Sequence, residues 1–148
     1  IELGGCRHRY NAGLARSVCV GSPPAKLAAL EPVVVEGMAA ALEAARAGNA
    51  CQDVEAAWRR TLAAAGYSKA SRIGYSIGLG YPGLSWGERT ASLQQGDLTV
   101  LEPNMTFHMI LGMWMDDWGF ELSEVFRVTE SGPPETFSQL PRQLFVKD

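Results

Sequence analysis

Residues 105–128 read MTFHMILGMWMDDWGFELSEVFRV, and this stretch decides the fold. It holds two apolar runs, Met105 to Met115 and Phe120 to Val128, each long enough for a β-strand. The four residues between them, Asp116-Asp117-Trp118-Gly119, include the Asp and Gly that favour turns. The pattern therefore predicts two antiparallel strands joined by a short connection.

The chain before this stretch has a helical period. Apolar residues recur at intervals of three and four, which predicts a helix with one buried face: Leu27, Leu30, Val34, Met38, Ala41 and Ala45. Proline is tolerated in a first turn but not in a helix interior, so we expect the main helix to begin near Pro32 and to end at Gly48. A second helix is expected from about Gln52 to Ala65.

Further strands are expected on both sides of the helices. Ile1 to Val20 looks like two strands with a turn within Cys6 to Gly13, and Ile73 to Gly80 and Leu98 to Leu101 are interpreted as strands. Strands, then two helices, then several antiparallel strands indicate an α+β fold with helices on one face of a sheet.

Composition limits the class of protein. The 148 residues suffice for one domain, and 47% apolar with 20% charged residues is typical of a soluble globular chain. A net charge of −3 argues against a nucleic-acid groove, and no apolar run approaches the roughly 20 residues of a membrane helix. Without a visible signal peptide, and with three scattered cysteines, we expect a cytoplasmic protein. A first residue Ile1, in what looks like the middle of a strand, suggests a piece of a longer protein.

Generic catalytic motifs do not settle the function. Gly74-Tyr75-Ser76-Ile77-Gly78 formally matches the nucleophile elbow of serine hydrolases, but the glycine- and proline-rich residues after it cannot begin the helix that the elbow needs. The two histidines, His8 and His108, are 100 residues apart, so they form no local metal motif. His108 lies in an apolar strand and is either a hydrogen-bonded core imidazole or a group that faces a site.

Aromatic and acidic residues concentrate in one part of the chain. Aromatic faces beside carboxylates suit a small cationic or zwitterionic ligand. The alternative is an aromatic core with solvated acids in the turns. The residues concerned are Tyr81, Trp86, Phe107, Trp114, Trp118 and Phe120, with Glu88, Asp116, Asp117, Glu121 and Glu124.

Three motifs resemble those of the creatinase/Xaa-Pro peptidase family. They are GYSIGL at residues 74–79, LEPNMTF at 101–107 and VTESG at 128–132. The resemblance covers nearly the whole chain and implies the pita-bread fold, an α+β fold with helices packed on a curved, antiparallel-rich sheet. It also implies that residues 1–148 are the C-terminal part of a catalytic domain, with an N-terminal domain and a first half missing.

The resemblance bears on metal binding as well. Metal-dependent members hold two divalent ions with two Asp, one His and two Glu. The matching positions here carry Glu2, Gly13, Tyr75, Ile110 and Ser123. Only Glu2 keeps a carboxylate, so the resemblance implies an enzyme without a dinuclear centre and without another cofactor.

The metal-free branch of the family supplies the expected function. The runs at residues 72–82, 86–90, 104–108 and 114–119 resemble those of its ectoine-hydrolysing members. This resemblance implies a metal-independent hydrolase that acts on a C–N bond of a small cyclic or zwitterionic solute. The expected partners are this small-molecule substrate and a second copy of the chain in a homodimer, with no nucleic acid and no membrane. The alternatives are a metal-dependent Xaa-Pro dipeptidase and a non-catalytic pita-bread binding module.

The expected site residues follow from the same reading. The candidates for acid-base chemistry are Glu2, Glu121 and, more weakly, His108. The residues expected to shape the substrate pocket are Tyr75, Phe107, Trp114, Trp118 and Glu88.

Overall fold

A computed structural model describes residues 1–80 and 87–148, with side chains in 1–80 and 90–148. The chain forms nine strands and two helices in these residues. In chain order they are β1 (Glu2–Arg7), β2 (Tyr10–Ala15), β3 (Val18–Val20), α1 (Ala25–Ala44), α2 (Cys51–Ala64), β4 (Gly74–Ile77), β5 (Gly87–Ser92), β6 (Thr106–Trp114), β7 (Gly119–Arg127), β8 (Glu135–Thr136) and β9 (Phe145–Lys147).

The central sheet has five strands in the order β5-β4-β6-β7-β8, and every neighbouring pair is antiparallel. The predicted pair at residues 105–128 forms its centre, with Thr106 opposite Arg127 and Trp114 opposite Gly119. Side chains of a strand alternate between faces, so one face of β6 carries Phe107, Met109 and Leu111, all of which are buried in the core with the helices. The other face carries His108 and the residues of the candidate site.

The two helices form a layer on the core face of the sheet. Trp58 of α2 is buried against Gly37 of α1, where an added Cβ atom would lie only 2.1 Å from the Trp58 ring. This close approach explains a glycine inside a helix, where it otherwise costs stability. The predicted second helix is confirmed with a shift of one residue at each end.

The predicted beginning of the first helix is wrong. α1 begins at Ala25 and ends at Ala44, so Pro32 lies inside it and Gly48 lies beyond it. An interior proline costs about 3 kcal/mol. Leu30 and Val34, on either side of Pro32, are fully buried, and burial of each such side chain contributes about 1.5–3 kcal/mol. Tertiary packing therefore outweighs the local preference.

The strand predictions are confirmed at β4, β6 and β7 and fail at Leu98 to Leu101. That segment makes one isolated bridge, between Val100 and Ala50, because its backbone pairs with the residues that precede α2 rather than with the sheet. The short strands β5, β8 and β9 were not predicted, and β9 pairs in parallel with β3.

The β1–β2 hairpin crosses the sheet face that is opposite the helices. Its turn is formed by His8 and Arg9, both with positive φ, so the turn is tighter than the predicted one. At one end of β2 the Asn11 amide donates to the Gly78 carbonyl, and at the other end Arg16 bridges to Leu122 of β7. The hairpin thus lies over β6 and covers the face that carries His108.

The described residues include no helix that is both long enough and apolar enough to cross a membrane.

Candidate active site

A chain of hydrogen bonds crosses the sheet beneath the hairpin. The Tyr75 hydroxyl lies 3.2 Å from Nδ1 of His108, and Nε2 of His108 lies 2.9 Å from Oγ of Ser123. The backbone amide of Ala15 donates to the same Oγ at 2.6 Å. His108 and Ser123 are fully buried, while Tyr75 is half-buried. The chain therefore links β2, β7, β6 and β4 and ends at the phenol, its most exposed group.

The imidazole in this chain is neutral. Burial lowers the pKa of His108 to about 4. At neutral pH one ring nitrogen therefore carries a hydrogen and the other accepts one. His108, predicted as a weak acid-base candidate, is placed on the site face but behind Tyr75 rather than at its surface.

Two carboxylates lie near this array, that of Glu121 on the site face of β7 and that of Glu2 at the start of the hairpin. Burial raises the pKa of Glu121, the charge of Glu2 raises it further, and the positive charge of Lys69 acts in the opposite direction. The Glu121 backbone is fixed by Ser17, whose Oγ accepts from the Glu121 amide at 2.8 Å and donates to its carbonyl at 3.1 Å. Burial raises the pKa of Tyr75 too, and the charges of Glu2 and Glu121 add to that rise. The structure therefore brings Glu2, Glu121 and Tyr75 within electrostatic reach of one another.

Lys69 is a site residue that no sequence pattern singles out. It precedes β4 and is partly buried, and its Nζ donates to the carbonyl of Gly112 and lies 4.3 Å from the centre of the Trp114 ring. Gly112 is opposite Glu121 in the sheet. Burial lowers the pKa of Lys69 to about 8, although the Glu121 charge opposes this. The site thus holds a cation beside its carboxylates.

Arg16 connects the hairpin to the other face of β7. Its guanidinium forms a buried ion pair of 2.6 Å with Glu124 and also donates to the Ser123 carbonyl at 2.6 Å. Arg142 reaches the same Glu124 oxygen at 3.2 Å. Arg16 is therefore engaged with Glu124, which fixes the position of Ser123 rather than that of the site carboxylates.

The predicted pocket residues have different locations. Trp114 lies on the site face, 65% exposed, and folds back over Gly112. Phe107 lies on the opposite face of β6, where it is buried and stacked on Phe126 with 5.6 Å between ring centres. Trp118 packs on the helix side, 5.1 Å below the Lys26 ammonium. Phe107 and Trp118 are thus not brought together with His108, and the Glu88 side chain, like Tyr81 and Trp86, lies outside the described residues.

The residues at the family's ligand positions do not fit a pair of divalent ions. Ile110 and Ser123 are opposite each other in the sheet, and Tyr75 is opposite His108 beside them, so three of the positions do meet on one face. Ile110 has no donor atom, Gly13 has no side chain, and the Ser123 oxygen already bonds to His108 and Ala15. In the described ranges no three His, Cys, Asp or Glu side chains form a group able to hold a metal ion.

Comparisons with known proteins agree with the fold and the motifs. The chain is 44% identical to the ectoine hydrolase of Halomonas elongata over 148 residues, which is 99% of this chain and 37% of that protein. It is 45% identical over 148 residues to the uncharacterized hydrolase/peptidase y4tM of Sinorhizobium fredii, at 100% and 37% coverage. The chain therefore spans just over a third of the length of these relatives.

A solved structure shows the same architecture. The dipeptidase PepE from Mycobacterium ulcerans superposes with a TM-score of 0.88 at 26% identity, over 98% of this chain and 38% of that one. The α+β pita-bread prediction is thereby confirmed. Residues 1–130 match metallopeptidase family M24. This match covers the hairpin, both helices and the central strands, so the chain belongs to that family, the creatinase/Xaa-Pro peptidase family.

Proposed function

We propose that the protein hydrolyses a C–N bond of a small cyclic or zwitterionic solute without a metal ion, and that ring opening of ectoine is its reaction. One observation carries the proposal. At two of the family's ligand positions the chain has Tyr75 and Ser123, which are joined by hydrogen bonds through His108. The carboxylates of Glu2 and Glu121 lie beside this chain of hydrogen bonds. The 44% identity to an ectoine hydrolase supports the choice of substrate.

The reaction needs one base and one acid. A water oxygen bonds to the amidine carbon, the ring C–N bond breaks, the leaving nitrogen takes a proton, and the carbon becomes the carbonyl of an acetamide. An ionised carboxylate accepts one proton from the water, and a protonated carboxyl group supplies one to the leaving nitrogen. As the C–N bond breaks, the remaining hydroxyl proton of the adduct passes to the leaving nitrogen, which departs as an ammonium group. Their different environments suit Glu121 to the acid, since its pKa is raised, and the exposed Glu2 to the base.

The substrate carries an amidinium cation and a carboxylate. Glu2 and Glu121 offer negative charge to the amidinium. Lys69 and Arg72, whose guanidinium carbon lies 4.9 Å from the centre of the Tyr75 ring, offer positive charge to the carboxylate. Charges of both signs around one site favour a zwitterion over a simple cation.

A metal-dependent Xaa-Pro dipeptidase would need ligands where the chain has Gly13, Tyr75 and Ile110, and these residues offer none of the family's ligand atoms. A binding module without catalysis would keep the fold and lack turnover altogether. The two alternatives therefore differ from our proposal in measurable ways.

The test uses the full-length protein, treated with a chelator and analysed for metals. Ectoine is followed by proton NMR through its ring methyl signal, which becomes an acetamide methyl signal. In parallel, an Xaa-Pro dipeptide is supplied with and without Mn²⁺. We expect ectoine turnover that the chelator does not reduce. Metal-dependent dipeptide cleavage, or no turnover of either compound, would contradict the proposal.

A further inference from the structure

The donor and the acceptor of each hydrogen bond in the Tyr75–His108–Ser123 array can be assigned. Oγ of Ser123 accepts the amide hydrogen of Ala15, which can only donate. The same oxygen lies 2.9 Å from Nε2 of His108. The Ser123 hydroxyl hydrogen therefore needs an acceptor. Among the described residues, the hydrogen bonds of this oxygen are those with Ala15 and His108.

The two neutral tautomers of His108 differ in how well they meet this need. If Nε2 carries the hydrogen, both neighbours donate to Ser123 and its own buried hydroxyl hydrogen has no acceptor in the array. If Nδ1 carries the hydrogen, Ser123 donates to Nε2 and Nδ1 donates to the Tyr75 oxygen 3.2 Å away. Buried donors without acceptors are costly, so the second arrangement is favoured.

The favoured arrangement fixes the hydrogen of the phenol. The Tyr75 oxygen accepts from Nδ1, so its own hydrogen points away from His108. Tyr75 lines a cavity of about 260 Å³ together with Arg72, Ile110 and Trp114. The Arg72 guanidinium over the Tyr75 ring gives this cavity a positive charge. A neutral donor beside a cation suits a carboxylate oxygen.

We propose that Ser123 and His108 are positioning residues. Ser123 donates to His108 and His108 donates to the Tyr75 oxygen, so that the Tyr75 hydroxyl is held as a donor to the carboxylate of a ligand in this cavity. The ligand class rests on the function proposed above, and the direction of the array does not. The protonation states of His108 and Tyr75 agree with this direction of the hydrogen bonds. Burial leaves His108 with a single ring hydrogen at neutral pH, since its pKa falls to about 4, and burial together with Glu2 raises the pKa of Tyr75 so that the phenol keeps its hydrogen.

The direction is tested by long-range proton–nitrogen NMR on full-length protein labelled with ¹⁵N in histidine. The His108 signals are identified by their loss in His108→Gln and, should that variant not fold, by their shift in Tyr75→Phe. We expect a protonated Nδ1 and an unprotonated Nε2. A protonated Nε2, or two protonated nitrogens, overturns the proposal.

The ligand is tested by binding calorimetry with ectoine and with 2-methyl-1,4,5,6-tetrahydropyrimidine, the same ring without the carboxylate. Tyr75→Phe is expected to weaken ectoine binding about tenfold, as loss of one hydrogen bond to a charged group does. Binding of the ring that lacks the carboxylate is expected to stay unchanged. Ser123→Ala is expected to act in the same selective way. Tyr67→Phe, which makes the same change at a partly buried tyrosine that packs against the helix–sheet core, is the matched control.

The outcomes separate this proposal from the proposed function. Equal weakening of both ligands by Tyr75→Phe overturns the carboxylate contact. Failure of the wild-type protein to bind either ligand overturns the ligand class along with the proposed function, and the NMR result then decides the direction of the array alone.

Discussion

Replacing Glu121 by Gln separates its proposed role as an acid from its role in packing. The amide keeps the size of the side chain, and Ser17 still holds the backbone of residue 121. The variant lacks the proton that the leaving nitrogen needs. Loss of a general acid typically costs about 10²–10⁴-fold in rate. At 1.36 kcal/mol per factor of ten, this is about 2.7–5.4 kcal/mol of transition-state stabilisation.

The proposed acid role also predicts how the rate of ring opening changes with pH. An acid works while it is protonated, so the wild-type rate falls as pH rises through the pKa of Glu121. Burial and the Glu2 charge raise that pKa, and the fall therefore begins at a higher pH than for an ordinary glutamate. In Glu121→Gln this alkaline limb disappears. Because Glu121 also raises the pKa of Lys69, the Lys69 pKa falls further below about 8 in the variant.

The assay is ectoine ring opening by full-length protein from pH 5 to 10, with circular dichroism as the check on folding. Glu2→Gln is measured alongside, and Glu36→Gln, an exposed glutamate on α1, is the control for removing one negative charge. Because Glu2 and Glu121 are proposed to act together in one reaction, as base and acid, the double variant is expected to lose less than the product of the single losses. Near wild-type turnover in both single variants would refute the reasoning.

Three further predictions concern stability and association. Gly37→Ala places a methyl group 2.1 Å from the Trp58 ring, and such overpacking should lower the free energy of unfolding in urea by about 1–3 kcal/mol; an unchanged midpoint would contradict the close packing of the helices. Arg16→Met leaves Glu124 without its 2.6 Å partner, and unfolding should become easier by about 3–5 kcal/mol, whereas a loss below 1 kcal/mol would show that Arg142 replaces it. Residues 1–148 expressed alone expose Leu3 and Val20, at 66% and 82%, so light scattering should show dimers or larger species, and a stable monomer would be the contrary result.

The fold was largely predictable because its main elements have local signatures. The β6–β7 pair and α2 follow from period-two and helical patterns within 24 and 14 residues. The beginning of α1 was not predictable in this way. Pro32 lies two turns after the first residue of the helix, where a proline is normally unfavourable. The helix is maintained there by the burial of Leu30 and Val34 against residues that are distant in sequence.

The site was predictable only where a family motif identified a position. Tyr75 and Ser123 were noted as replacements for metal ligands, but nothing local indicates that His108 joins them, since the two contacts span 33 and 15 residues. The Ala15–Ser123 contact spans 108. Lys69 has no pattern at all, because its role depends on the Gly112 carbonyl 43 residues away.

The same contacts explain why the site is well packed although the family's metal-ligand residues are replaced. The site face is built by the hairpin, β4, β6 and β7, which come from separate parts of the chain. Here a chain of neutral hydrogen bonds connects these four strands, and the buried Arg16–Glu124 pair fixes the hairpin on β7 from the opposite face. Neutral Ser, His and Tyr side chains avoid the cost of buried unpaired charge. In the proposed mechanism, the carboxylates of Glu2 and Glu121 act beside this array, and the array itself needs no charge to hold the strands together.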